Sequence, residues 1–302
     1  MQDEIESFLS ERKAEGVSPA TLKNFTGRLK RLHGFLLSRG VKRWADVLPV
    51  HLDAFRAQNK RDKLADGTQD VYLLSSRLFI RWLLKRGRIL SDPCRSIVIA
   101  RRGDERPLPD RPLSEDEIQA FITALPRRHV RDLRNLAHFE LLYSAGLRLG
   151  ESLAVNVADI DLTGKVLHVR TGKGGKARDI PMMRGLVGAL KDYLALRRML
   201  LRGPDDGALL LSIRGRRLTE QGFRNILDTI NKRRPQGSRR VYAHLFRHTI
   251  AVHLLRGGAD IRHIQAFLGH ESLDTTKIYL RLVPADLRKA YDAAMPAFAV
   301  TA

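Results

Sequence analysis

The stretch Ala243-His244-Leu245-Phe246-Arg247-His248-Thr249-Ile250-Ala251-Val252-His253-Leu254-Leu255-Arg256-Gly257 decides how this chain is read. Its apolar residues recur at helical spacing up to a glycine stop, which predicts a helix over 243–257. His244 and Arg247, three residues apart, share one face, while Leu245 and Phe246 turn away into a core. A cation on so apolar a helix is costly unless it meets an anion. His248 and His253 are read as structural. Downstream, Leu268-Gly269-His270 ends a helix predicted over 260–268 and places His270 at a turn. A further helix, predicted over 274–282, carries Tyr279 back toward it.

Two upstream segments bring matching chemistry. In Ser144-Ala145-Gly146-Leu147-Arg148-Leu149-Gly150-Glu151, the glycines imply a tight passage between helices that projects Arg148 inward. The plain alternative is a local pair of Arg148 with Glu151. Residues 159–170 end in the β-prone run Val166-Leu167-His168-Val169. Thr171-Gly172-Lys173-Gly174-Gly175-Lys176 then reads as a turn and Arg178-Asp179-Ile180-Pro181 as the returning strand, with Lys173 at the tip. The glycine-rich turn is no phosphate-binding P-loop, because Gly175-Lys176 is followed by Ala177 and the spacing is absent. Together these residues suit metal-free cleavage of a phosphodiester. A phenol serves as nucleophile, and each arginine fork binds two phosphate oxygens without losing its charge. Lysine and histidines move protons. No carboxylate cluster accompanies the basic set, and the histidines are too dispersed for a metal site.

The balance of charge fits a polyanionic partner. The 302 residues carry 54 Lys and Arg against 33 Asp and Glu, a formal net charge of +21. The charge is +8 up to Asp110 and +13 beyond it, as expected of a protein that grips DNA from two sides. Cys94 is the only cysteine, so no intramolecular disulfide forms and a reducing, cytoplasmic setting is expected. The acidic start Met1-Gln2-Asp3-Glu4-Ile5-Glu6 does not read as a signal peptide, and no run approaches the roughly 18 apolar residues of a membrane span.

The fold class expected is mainly α, in two domains. Helices are predicted at 2–15, from Ser18-Pro19 to Gly40, at 49–60 and at 68–87, forming a four-helix unit over 1–102. In the last of these, Val71, Leu74, Leu78, Trp82 and Leu83 are expected to face inward. A charged, proline-rich linker spans 103–113, and Ser114 with Glu117 caps the next helix. The second domain, 114–283, is mostly helical with the small β-hairpin insertion, and helices are also predicted at 184–202 and 219–233. A tail covers 284–302.

The segments around Arg148, Lys173, His244 and Arg247, His270 and Tyr279 resemble the tyrosine recombinase (phage integrase) family, nearest its two-domain Xer-like and transposon-borne members. The resemblance spans nearly the whole chain. It implies that the first unit is a SAM-like core-binding domain. It implies that Arg148 and Arg247 clamp the scissile phosphate, that Lys173 is the general acid for the 5′-oxygen, and that His244 and His270 assist in proton transfer and phosphate binding. Tyr279 becomes the nucleophile of a 3′-phosphotyrosyl link. It implies double-stranded DNA as partner and neither cofactor nor metal. The assembly it implies is a tetramer on two DNA sites, of one recombinase or two, exchanging strands through a Holliday junction, with residues 286–295 docking on a neighbouring protomer. One departure stands before His244, where Tyr242-Ala243 replaces the Ser-Pro often found there. A catalytically silent DNA-binding protein and a type IB topoisomerase are the alternatives.

Overall fold

The computed structural model describes residues 1–95, 97, 111–170, 177–270, 276 and 279. Most of the 103–113 linker, Lys173, most of the 274–282 helix and the 284–302 tail lie outside them. The chain forms two compact units, residues 1–106 and 107–302.

Unit one is built from α1 (Gln2–Ala14), α2 (Pro19–Ser38), α3 (Pro49–Arg61) and α4 (Asp66–Lys85). Ser18 starts α2 by accepting a hydrogen bond from the Thr21 amide, with Pro19 at the first helical position, where its missing N–H costs nothing. Ile5, Phe8, Leu29, Leu32, Leu36, Trp44, Phe55, Phe79 and Leu83 fill the core. The inward face of α4 differs from the sequence expectation. Leu74 and Leu78 are 48% and 37% exposed, whereas Leu73, Ser76, Ile80 and Leu83 are buried. Two serines disguise the true stripe. Ser75 and Ser76 turn their hydroxyls onto the Val71 and Tyr72 carbonyls, which lets polar residues occupy buried helical positions.

Unit two begins with α5 (Glu115–Ala124), whose capping box closes as Ser114 accepts from the Glu117 amide and Glu117 from the Ser114 amide. It continues through α6 (Val130–Tyr143) and α7 (Leu149–Ala154). A three-stranded antiparallel sheet follows in the order β1 (Ile160–Asp161), β2 (Val166–Val169), β3 (Arg178–Pro181). In its register His168 faces Asp179 and Val169 faces Arg178. The helices α8 (Arg184–Leu196), α9 (Glu220–Arg233), α10 (Ala243–Arg256) and α11 (Ile261–Leu268) complete the described part. The helix expected over 184–202 tightens into a 3₁₀ turn at Arg197–Leu200. There Arg197 bridges Asp205 and the Ala208 carbonyl. The core is aromatic at its centre, where Phe121, Phe139, Phe223 and Phe246 pack with ring centroids 5.0–5.7 Å apart. Among the described residues no helix is long and apolar enough to cross a membrane. The architecture is mainly α with a small sheet.

Candidate active site

Five of the six residues singled out from the sequence are described, and they converge where the end of α6, the start of α10 and the end of α11 meet. Gly146, in the left-handed conformation at φ +59°, turns the chain sharply after α6 and delivers Arg148 to the N-terminus of α7. Arg148 donates to Glu151 at 2.7 Å and to the Gly269 carbonyl at 3.0 Å. The local pair with Glu151 therefore forms, but within a larger constellation. Arg247, 1% exposed on α10, donates to the Gly146 carbonyl at 2.5 Å and the Leu268 carbonyl at 2.7 Å. Both guanidiniums thus hang from backbone carbonyls at the turn after α6 and at the end of α11.

Glu151 is the counter-ion of the group. Arg178 pairs with it at 3.0 Å, and Arg247 stands 3.9 Å away. Burial alone would raise its carboxyl, but hydrogen bonds from Arg178 and Arg148 hold it below the ordinary range. One carboxylate among three guanidiniums leaves an uncompensated positive site. Burial, reinforced by neighbouring Arg148 and opposed by Glu151, pushes Arg247 down to about 10.

The imidazoles lie against the same cations. Burial first, then Arg247 and Arg148, lowers His244, and the same causes push His270 down to about 3. His270 is oriented by a 2.8 Å hydrogen bond between Nδ1 and Thr276 Oγ1. Gly269 closes α11 at φ +65° and turns the chain so that His270 follows. Tyr279 is 3% exposed, with its ring nearly parallel to that of His270 at 6.4 Å between centroids. Burial raises the phenol, opposed by Arg247 and Arg148.

The sequence reading missed two residues here and undervalued a third. His248, set aside as structural, forms a 2.9 Å hydrogen bond through Nδ1 with the Tyr279 hydroxyl. The signal was present, since His244 and His248 are four apart and share a helix face; their rings meet edge-on at 4.6 Å. Arg178, the first residue of β3, was read only as strand. It donates to the Phe267 carbonyl at 2.9 Å and to Glu151, tying the sheet to the end of α11. Glu151 was read as a partner of Arg148 alone. His253 is structural as expected, bridging the Tyr143 hydroxyl and the Leu113 carbonyl.

Comparison with known proteins follows the same lines. The model of the phage integrase family matches residues 111–285. The tyrosine recombinase XerC of Serratia marcescens is 31% identical over 297 residues, covering 98% of this chain and 95% of its own length. Its counterpart from Roseiflexus sp. is 32% identical over 286 residues, covering 93% and 90%. The crystal structure of XerA recombinase is 27% identical with a TM-score of 0.53, covering 98% of this chain and all of that one. The Tn1549 transposon integrase, 19% identical, shares the fold with a TM-score of 0.75 over 95% and 98% of the two chains. The chain thus belongs to the phage integrase family, as a tyrosine recombinase.

Proposed function

We propose that this site-specific recombinase cuts and rejoins double-stranded DNA through Tyr279, with Arg148 and Arg247 as the phosphate clamp. The observation that carries the reading is a pair of guanidiniums, Arg247 buried and Arg148 half-buried, fixed on the Gly146, Leu268 and Gly269 carbonyls beside a buried tyrosine. A phosphodiester oxygen pair adds the negative charge that Glu151 alone does not supply to three guanidiniums, and the charge that develops in the transition state meets donors already in place. His244 and His270, neutral beside two guanidiniums, become better proton carriers once a phosphate offsets that charge. Lys173 is assigned the protonation of the leaving 5′-oxygen. The phosphoester bond energy is kept in the tyrosyl link, so rejoining needs no ATP.

The family relationship supports the larger assembly: a tetramer on two sites, of one recombinase or two, working in the cytoplasm. In it residues 1–102 and 114–283 each contact the DNA, and the segment 286–295, outside the described residues, is assigned the docking on a neighbouring protomer. Denaturant-resistant protein–DNA linkage in EDTA tests the reading, using host genomic fragments that are sequenced afterwards. Wild type should give adducts clustered at one sequence, and Tyr279→Phe should give none while binding DNA as tightly. Adducts from the phenylalanine variant would remove Tyr279 as nucleophile, and adducts scattered over all sequences would indicate a topoisomerase.

A further inference from the structure

We infer that His248 is a catalytic residue of this enzyme, the group that takes the phenolic proton from Tyr279 during cleavage and returns it during rejoining. This rests on Tyr279 being the nucleophile.

The argument starts from the nucleophile. A phenol that is 3% exposed has lost the water that could carry its proton away, and burial makes its ionisation harder. A nucleophile in that position needs an acceptor already in contact with its oxygen. The Tyr279 hydroxyl is hydrogen-bonded to His248 Nδ1 at 2.9 Å, within the range of direct proton transfer. The other imidazoles are committed differently. His270 Nδ1 is bonded to Thr276, and its ring lies nearly parallel to the phenol. His244 packs edge-on against His248 itself.

The placement of His248 is fixed by the helix that builds the clamp. It follows Arg247 directly on α10 and lies one turn beyond His244. Arg247 is anchored at both ends of its guanidinium, so the backbone that carries His248 is anchored with it. The clamp's Arg247 and the proton acceptor are therefore carried by one helix, in adjacent positions.

Among the described residues, the charged and titratable groups close to this pair are Arg148 before α7, Arg247 and His244 on α10, and His270 beyond α11. Proton transfer requires the His248 tautomer with its hydrogen on Nε2. In cleavage, Tyr279 Oη attacks phosphorus while its proton passes to His248 Nδ1. The bond from phosphorus to O5′ breaks, and O5′ takes a proton from the general acid assigned to Lys173. In rejoining, the 5′-hydroxyl attacks phosphorus and gives its proton to the lysine amine. The bond from phosphorus to Oη breaks, and His248 reprotonates the phenolate.

Two substrates separate proton transfer from a structural role. The first is a duplex bearing the site recovered from the adducts, nicked so that cleavage cannot reverse. The second is the same site ending in a 3′-p-nitrophenyl phosphate, whose leaving group departs without a proton, tested with Tyr279→Phe protein. His248→Ala should slow cleavage of the first by about 10²-fold, the usual contribution of general acid–base catalysis. Added to Tyr279→Phe, it should leave strand joining on the second unchanged. His248→Gln, which keeps a polar partner for the phenol but cannot accept the proton in the same way, should follow alanine. Equal loss on both substrates would make His248 structural and overturn the proposal, as would cleavage at the wild-type rate by either variant. Absence of any covalent link in wild type would instead overturn the assignment of Tyr279.

Discussion

A fully buried histidine shows how strongly single positions are set in this fold. His138 on α6 is 1% exposed, bonded to Ser152 Oγ at 2.8 Å and packed on Phe223 at 4.3 Å between ring centroids. Burial, with Arg134 adding to it, pushes the imidazole down to about 3. The unfolded chain binds a proton there near pH 6.5 and the folded one does not, so its contribution is intact above pH 6.5. It is lost progressively as pH falls toward 3. Between pH 7.5 and 5 this histidine alone should cost about 2 kcal/mol of stability. Urea unfolding at the two pH values should show that difference shrinking by a similar amount in His138→Gln; an undiminished difference would assign the acid sensitivity elsewhere. His138 carries no motif, and its burial follows from tertiary packing that a linear pattern does not display. Arg148, His244, Arg247, His270 and Tyr279 stand out in the sequence because a helix face or a glycine turn brings chemically matched groups together. Arg178 was missed and Glu151 undervalued because their importance lies in contacts from other elements, whereas His248 was overlooked although it shares a helix face with His244.

At the scale of elements, two turns set the geometry of the site. Gly146 and Gly269 both have positive φ, and both present carbonyls to the clamp arginines. A Cβ at Gly146 would stand 2.9 Å from Leu268 Cδ2 and from Phe267 Cε1, both on α11. One at Gly269 would stand 2.8 Å from Arg178 Nη1, whose guanidinium is tied to Glu151 and the Phe267 carbonyl. Either substitution by alanine should therefore cost at least about 1–2 kcal/mol from backbone conformation alone. Cleavage should fall further than stability explains, because the carbonyls under Arg148 and Arg247 shift. Gly150→Ala is the contrast, since it lies on α7 with nothing within 4 Å and should be neutral or stabilising by thermal melting. Equal melting temperatures for all three variants would refute this account of the turns. The glycines at 146 and 269, the capping residues and the paired strands 166–169 and 178–181 were legible as patterns. The inward stripe of α4 was not, since buried serines satisfied by backbone carbonyls interrupt its apolar periodicity.

At the scale of the whole molecule, the governing quantity is charge. A net +21 is far beyond what solubility requires, and it is divided between both parts of the chain, +8 before residue 111 and +13 after it. If both units contact the DNA backbone, each phosphate neutralised releases counterions and adds about 0.9 to the slope of log K against log salt. Six such contacts would weaken binding by about 10³-fold between 50 and 200 mM salt. Fluorescence anisotropy with Tyr279→Phe protein measures this slope without covalent trapping. Residues 107–302 alone should bind the same duplex with a clearly shallower slope than the full chain, because the phosphates touched by the first unit are no longer counted. Equal slopes would confine the electrostatic contact to the catalytic unit. Binding insensitive to salt would mean that the charge is surface solvation and that the two-sided grip on DNA is wrong.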